Sequence, residues 1–287
     1  MRVNQVLRTA SEARALHPVV IQRWQHCGIE LVFQPIFNLK TGHVCAFEAL
    51  ARWEDPELGY VSPSEFITTA EQIGVIEEVN SELFVKALDA ARDWPDHVAL
   101  AFNFSVIQLC SNSLAPSILA QLRRAGIQPS RLEVEITETV LLLDFETARK
   151  NLESFQLAGV SVVLDDFGAG YASISYLQEM QFDRVKLDGS LLTKATKSPS
   201  SRRLLKGVIG LCSDLSAPCV AEHVETEEQL ALLLEFNCAR GQGYLLSKPL
   251  SRQAAKSLAA ADDVLEHIRA GVRSQPQLRV VAQQSGS

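Results

Sequence analysis

From Glu30 to Ala270 the chain alternates between two kinds of apolar pattern. Short, β-branched runs read as strands: Glu30–Ile36, His43–Ala49, Val98–Phe104, Leu132–Ile136, Val160–Leu164, Asp183–Leu187, Cys219–Ala221 and Gly243–Leu246. Between them, apolar residues at helical spacing predict helices around Pro63–Ile73, Ser81–Asp93, Val106–Ala125, Asp144–Leu157, Ser201–Leu215, Glu225–Phe236 and Ser251–Ala270. The first helix carries its own start signal, with Ser62 as N-cap, Pro63 in the first turn and Glu65 completing a capping box. Strand and helix repeated in this way imply an α/β fold with a mainly parallel sheet. About eight repeats fit a closed, TIM-like (β/α)8 barrel better than an open sheet. The first two strands are separated only by a stretch containing "NLKTG", Asn38 to Gly42, a hairpin signal, so the barrel is expected to open with an antiparallel pair. Residues 1–28 read as a peripheral helical extension, 29–272 as the barrel and 273–287 as a polar, disordered tail.

Composition narrows the class. Of the 287 residues, 47% are hydrophobic and 21% charged, ample for a large core. No apolar run reaches the roughly 18–20 residues of a membrane span, and the N-terminus lacks the pattern of a secretory leader, so a cytoplasmic location is expected. The six cysteines are scattered without metal or redox spacing and read as thiols. A formal charge of −7 argues against binding DNA or RNA duplexes, which relies on clustered Lys and Arg. An anionic substrate must therefore be attracted by something other than net charge.

In a β/α barrel the active site lies where the carboxyl ends of the strands converge. Glu48 closes the second strand, Asn103 the third, Glu135 and Glu138 flank the end of the fourth, and Asp165 and Asp166 close the fifth. Lys186 lies on the sixth, Glu222 ends the seventh and Gln242 begins the eighth. Any one of these is ordinarily a helix cap; seven strands in succession delivering oxygen ligands or a lysine point to a site. Hard divalent cations prefer such oxygens. Glu48, Asn103, Glu135 and Asp165 suit one ion, and Asp165 can bridge to a second that also takes Asp166. Such a pair clamps the attacking and leaving oxygens of an in-line displacement. Shared cations explain how adjacent aspartates tolerate each other, and with Arg52 and Lys186 they make a pocket that accepts phosphate in an acidic protein. Glycoside hydrolysis also uses carboxylate pairs, but it needs neither adjacent aspartates nor an amide and a lysine.

These residues resemble a known family, the EAL-domain cyclic di-GMP phosphodiesterases of bacteria. The signature stands as Glu48-Ala49-Leu50 within "FQPIFNLKTGHVCAFEALARW", followed in order by "FNFS" at 102–105, "EITE" at 135–138, "DDFGAGYAS" at 165–173, "VKLD" at 185–188, "AEHVET" at 221–226 and "GQGYLLSKP" at 241–249. The resemblance implies hydrolysis of cyclic di-GMP to linear pGpG with two Mg²⁺ or Mn²⁺ ions, and a homodimer. It implies Glu48, Asn103, Glu135 and Asp165 as ligands of the first metal, with Asp165 and Asp166 serving the second. Lys186 orients the attacking water, and Glu222 acts as general base or as a further metal partner. Gln34, Leu50, Arg52 and Gln242 contact substrate. Glu225 is a supporting residue, and Glu138 steadies the loop after the fifth strand, whose Gly168 and Gly170 let it couple the dimer to the site or merely shape a tight turn. One position departs from the family's A-E-G-V-E-T, with His223 in place of glycine. If that glycine serves a positive φ, histidine strains the strand end; if it faces open space, histidine is harmless. Two rival readings are a barrel that captures cyclic di-GMP but cleaves it poorly, and a scaffold for protein contacts. Degenerate binders lose the residues matching Glu48 or Asp166, and both are present.

Overall fold

The computed structural model describes residues 28–57, 59–137, 144–169, 180–266, 268 and 270. The expected N-terminal helix and C-terminal tail lie outside these residues, as do Glu138 and Gly170. The barrel opens with β1 (Ile29–Asn38) and β2 (Val44–Asp55), paired antiparallel with Gln34 opposite Glu48. It continues through β4 (Ala99–Asn103), β5 (Leu132–Thr137), β6 (Ser161–Phe167), β7 (Arg184–Leu187), β8 (Cys219–Ala221) and β9 (Arg240–Gly241). From β2 to β9 these neighbours pair parallel, and β9 returns to β1 antiparallel, closing eight strands into a cylinder. A ninth, β3 (Gly59–Val61), lies outside the closure as a hairpin on β2 and was not anticipated. Both the closed barrel and the antiparallel opening pair agree with the sequence pattern.

The helices are α1 (Pro63–Ile73), α2 (Ile76–Ala91), α3 (Val106–Leu109), α4 (Leu114–Ala125), α5 (Phe145–Leu157), α6 (Gly189–Ala195), α7 (Pro199–Asp214), α8 (Glu227–Glu235) and α9 (Arg252–Ala259). The capping box at Ser62 forms as expected. The helix expected over 106–125 is two helices, because its carbonyls at the break find another partner: Asn151 of α5 donates to Leu109 O at 2.8 Å and Ser111 O at 2.9 Å. The last strand also differs from expectation. It is Arg240–Gly241, whereas Gly243–Leu246 form a turn whose amides bond to Val224 O and Gly243 O. Apolar content alone could not separate a buried turn from a strand there.

Layering inside the barrel follows the two-residue period of the strands. Ile36, Ala46, Ala99, Ala101 and Val220 form an apolar floor, beside which Glu133 is held by Arg184 Nη1 at 3.1 Å and Arg240 Nη1 at 2.9 Å. Two residues further along the same strands come Glu48, Asn103, Glu135, Lys186, Glu222 and Gln242. The floor seals one end, so polar groups above it face the other.

Candidate active site

Lys186 is the centre of this upper layer. It is 1% exposed, and its Nζ lies 3.0 Å from Glu135 Oε2, 3.0 Å from Glu222 Oε1, 3.2 Å from Asp165 Oδ2 and 3.4 Å from Glu48 Oε2. Burial by itself would lower the lysine's pKa; the surrounding carboxylates outweigh it and hold the ammonium well above its ordinary range. Glu48 is fixed from both sides, accepting from Gln242 Nε2 at 2.8 Å and from Asn103 Nδ2 at 2.9 Å. Burial works against its ionisation, but Lys186 and these two amides keep its carboxyl below the usual value. Glu135 fares differently: burial and then the Glu48 charge push it well up. Glu222 is pushed up to about 7, chiefly by burial.

A strand residue and its neighbour normally point to opposite faces, yet Asp165 and Asp166 converge. A bulge in β6 between Leu164 and Phe167, with Asp166 at φ 59°, turns the second carboxyl back toward the first. As a result Asp165, Asp166 and Glu222 each offer an oxygen within 4.8 Å of the others, and so do Glu48, Glu135 and Asp165. Asp165 belongs to both groups, the bridging place its sequence position implied. Burial, then Asp165, raises the pKa of Asp166.

The donor set suits hard cations. Glu135 Oε1 is buried without a hydrogen-bond partner, four carboxylates ring one ammonium and a fifth, Asp166, stands beside Asp165 and Glu222, a formal charge of −4 that two divalent ions would balance. Asn103 qualifies the fit: its Nδ2 donates to Glu48 and Glu135, so ligation through Oδ1 requires the amide to turn over.

The other expected residues divide. Leu50 and Arg52 follow Glu48 at two-residue spacing on β2, hence on the same face, and Gln34 stands opposite Glu48; all three are half-buried. Arg52 Nη1 donates to Ala51 O at 2.8 Å. Gln242, expected at substrate, is buried and holds Glu48. Glu225 is exposed and belongs to neither of the two carboxylate groups. Gly168 adopts φ +95°, and a Cβ there would press on Leu191 of α6, so the glycine serves a close approach as well as a turn.

His223 combines features of both alternatives: it is exposed, yet its backbone takes the positive φ that favours glycine, and Glu222 beside it still reaches Lys186 at 3.0 Å. Its φ is 53°, in the left-handed region, and its Cβ and ring lie against Gly189, which has no side chain to oppose them. Gly189 thus makes room for an unusual neighbour, a relation that becomes visible only in three dimensions. Replacing His223 by glycine is expected to raise Tm by about 2 °C through relief of the left-handed backbone. Thermal unfolding measures it, and a lower Tm would show that the ring's packing outweighs the strain.

The result is a closed β/α barrel whose strand ends gather carboxylates around one buried lysine. The sequence pattern of the EAL domain matches residues 20–249, and the chain belongs to the EAL domain family. It is 35% identical over 227 residues to the cyclic di-GMP phosphodiesterase RocR of Pseudomonas aeruginosa, covering 78% of this chain and 58% of that protein. It is 38% identical over 230 residues to a protein of Sinorhizobium fredii, covering 80% of this chain and 28% of the relative. The chain thus spans less than two thirds of the length of these curated relatives. Among solved structures, a phosphodiesterase in complex with cyclic di-GMP superposes with a TM-score of 0.77 at 29% identity, covering 84% of this chain and 99% of that one. An EAL enzyme with cyclic AMP and cyclic di-GMP bound gives a TM-score of 0.79 at 26% identity, covering 88% of this chain and 70% of that one.

Proposed function

We propose that this chain hydrolyses one phosphodiester bond of cyclic di-GMP to give linear pGpG, using Mg²⁺ or Mn²⁺. The observation that carries the proposal is the convergence of Glu48, Glu135, Asp165 and Glu222 around Lys186 with Asp166 beside Asp165 and Glu222, a set matching the family's motifs position by position. The phosphodiesterase names of its relatives and the cyclic di-GMP bound to a structural neighbour support the substrate. Glu48, Glu135 and Asp165, with Asn103 once its amide turns, would hold one cation, and Asp165 with Asp166 would hold the other. When bound, such ions supply Lewis-acid activation of water and neutralise phosphate charge. Lys186 supplies fixed positive charge at the centre of the carboxylates, where the attacking water would be oriented. Glu222, with its pKa near 7, is suited to accept that water's proton at neutral pH. Gln242 and Asn103 keep Glu48 in place, and Arg52 contributes positive charge at the phosphate.

Incubation of the purified chain with cyclic di-GMP and either metal, followed by chromatography for pGpG, tests the reading. Turnover that Glu48→Ala abolishes is the expected result. Tight binding without product would instead make the chain a receptor, and neither binding nor product would leave only a scaffold.

A second test needs no substrate. Glu135, Asp166 and Glu222 have folded-state pKa values above their ordinary ones, so the folded protein keeps protons the unfolded chain has released. Stability of chelator-treated protein should therefore fall as pH rises, for Glu222 between 4.5 and about 7. Glu48, shifted down from 4.5, and Lys186, shifted up from 10.5, act outside that window. The expected fall in Tm is on the order of 5 °C, and it should flatten when Mg²⁺ or Mn²⁺ replaces the protons. A slope indifferent to metal counts against a cation site.

A further inference from the structure

We infer that Glu133 is a positioning residue: by gripping Arg184 and Arg240 in the lower layer of the barrel, it sets the heights at which Glu135, Lys186 and Gln242 stand above. The inference rests on the reading of that upper layer as a cation site. Glu133 is 3% exposed, and one of its oxygens, Oε1, takes both guanidinium groups, Arg240 Nη1 at 2.9 Å and Arg184 Nη1 at 3.1 Å. The three residues stand on β5, β7 and β9, alternate strands that are not paired with one another. Each lies two positions before a residue of the upper layer, which places the two layers about 7 Å apart on the same face of the same strands.

The backbone ladder is weakest where this cluster crosses it. β9 has only two residues, and it pairs with β8 through Val220 and Ala221 and with β1 through Phe37 and Asn38. So short a ladder leaves much of its height to be fixed by side chains. β7 is separated from β5 by β6, whose pairing with β7 loses register between Leu164 and Phe167, the stretch that holds Asp165 and Asp166. Glu133 spans both weak points, joining β5 to β7 past the bulged strand and to β9 across 107 residues of chain. Arg184 Nη1 is buried and out of line for a hydrogen bond, so it is the charge of Glu133 that holds it. The neighbouring Asp183 is engaged elsewhere, accepting from Val162 N at 2.7 Å. What the tie governs lies above: Glu135 meets Lys186 at 3.0 Å, and Gln242 donates to Glu48 at 2.8 Å. A strand that shifts along its axis carries its upper residue with it.

Glu133→Gln combined with Arg240→Gln tests the tie at constant charge, because two arginines with one carboxylate and one arginine alone are both formally +1. Mn²⁺ titrated calorimetrically into the substrate-free double variant should bind roughly tenfold more weakly, and kcat for cyclic di-GMP should fall roughly 10- to 100-fold with KM changed less than about threefold. A crystal structure of that variant should show Gln242 withdrawn from Glu48 and Glu135 parted from Lys186. Arg240→Lys, which keeps the charge and gives up the planar fork, should show the same changes to a smaller degree and serves if the double variant does not fold. Unchanged Mn²⁺ affinity and kcat with a lowered Tm would overturn the inference, leaving the cluster a brace for the fold. An upper layer in its original place in the crystal would overturn it too. So would full return of Mn²⁺ affinity in the double variant after its loss in Glu133→Gln alone, which would assign the effect to charge. The proposed hydrolysis fails separately: a chain that binds Mn²⁺ and yields no pGpG contradicts that reading, while calorimetry and the crystal structure still decide this one.

Discussion

Lys186→Ala is expected to lower turnover of cyclic di-GMP by roughly 10³-fold while substrate affinity changes less than about tenfold. The asymmetry follows from where the ammonium sits. It bonds four carboxylates beneath the mouth and is 1% exposed, so its contribution falls on the reacting water and the site's charge rather than on the nucleotide's periphery. The same substitution strands buried carboxylates without their countercharge. Chelator-treated protein should lose about 3–5 kcal/mol of stability, and divalent cations should return a large part, because they occupy the same electrostatic role. Single-turnover kinetics with a catalytically slow substrate analogue for affinity, alongside denaturant unfolding with and without Mg²⁺, separates the effects. Equal losses in kcat and affinity would remove Lys186 from the chemistry. A stability loss that metal cannot repair would make it a purely structural ion-pair centre.

Gly243→Ala is the second large effect, and it comes from backbone rather than charge. A Cβ on Gly243 would overlap the backbone nitrogen and carbonyl of Val224, atoms that cannot move aside as a flexible side chain can. Those atoms are also committed: Val224 N donates to Gln242 O at 3.0 Å, and Leu245 N donates to Val224 O at 2.9 Å. The substitution must therefore pull apart the turn that follows Gln242, whose side chain anchors Glu48. A loss of about 3 kcal/mol or more is expected, with turnover falling as Glu48 loses its fixed position. Gly207→Ala, in the middle of α7 with nothing within 4 Å of the added carbon, is the matched control and should be neutral or slightly stabilising. If both variants melt together, the close approach at Val224 is not what fixes the site.

Much of the site was legible because a β/α barrel converts one-dimensional position into shared location. A polar residue at the end of each apolar strand must face the same mouth, so Glu48, Asn103, Glu135, Asp165, Lys186 and Glu222 could be gathered before any coordinates. Glu225 was carried over by motif alone, and it stands exposed. The Glu133–Arg184–Arg240 cluster went unnoticed although each member lies two residues before a site residue. The strand reading attended to ends, and the interior layer below is polar only in three dimensions.

The sequence by itself determined the order of strands and helices, the hairpin at the start, the capping at Ser62 and the set of acidic groups at the strand ends. These rest on local rules of periodicity and turn chemistry, which act over a few residues. Only the tertiary structure decided that Asp165 and Asp166 point together, that Asn103 presents its nitrogen to the carboxylates, that Gly189 yields space to His223 and that one lysine bonds four acids. Each depends on contacts between residues far apart in the chain or on a bulge set by strand register, and pairing across the barrel is a property of packing that no short stretch encodes.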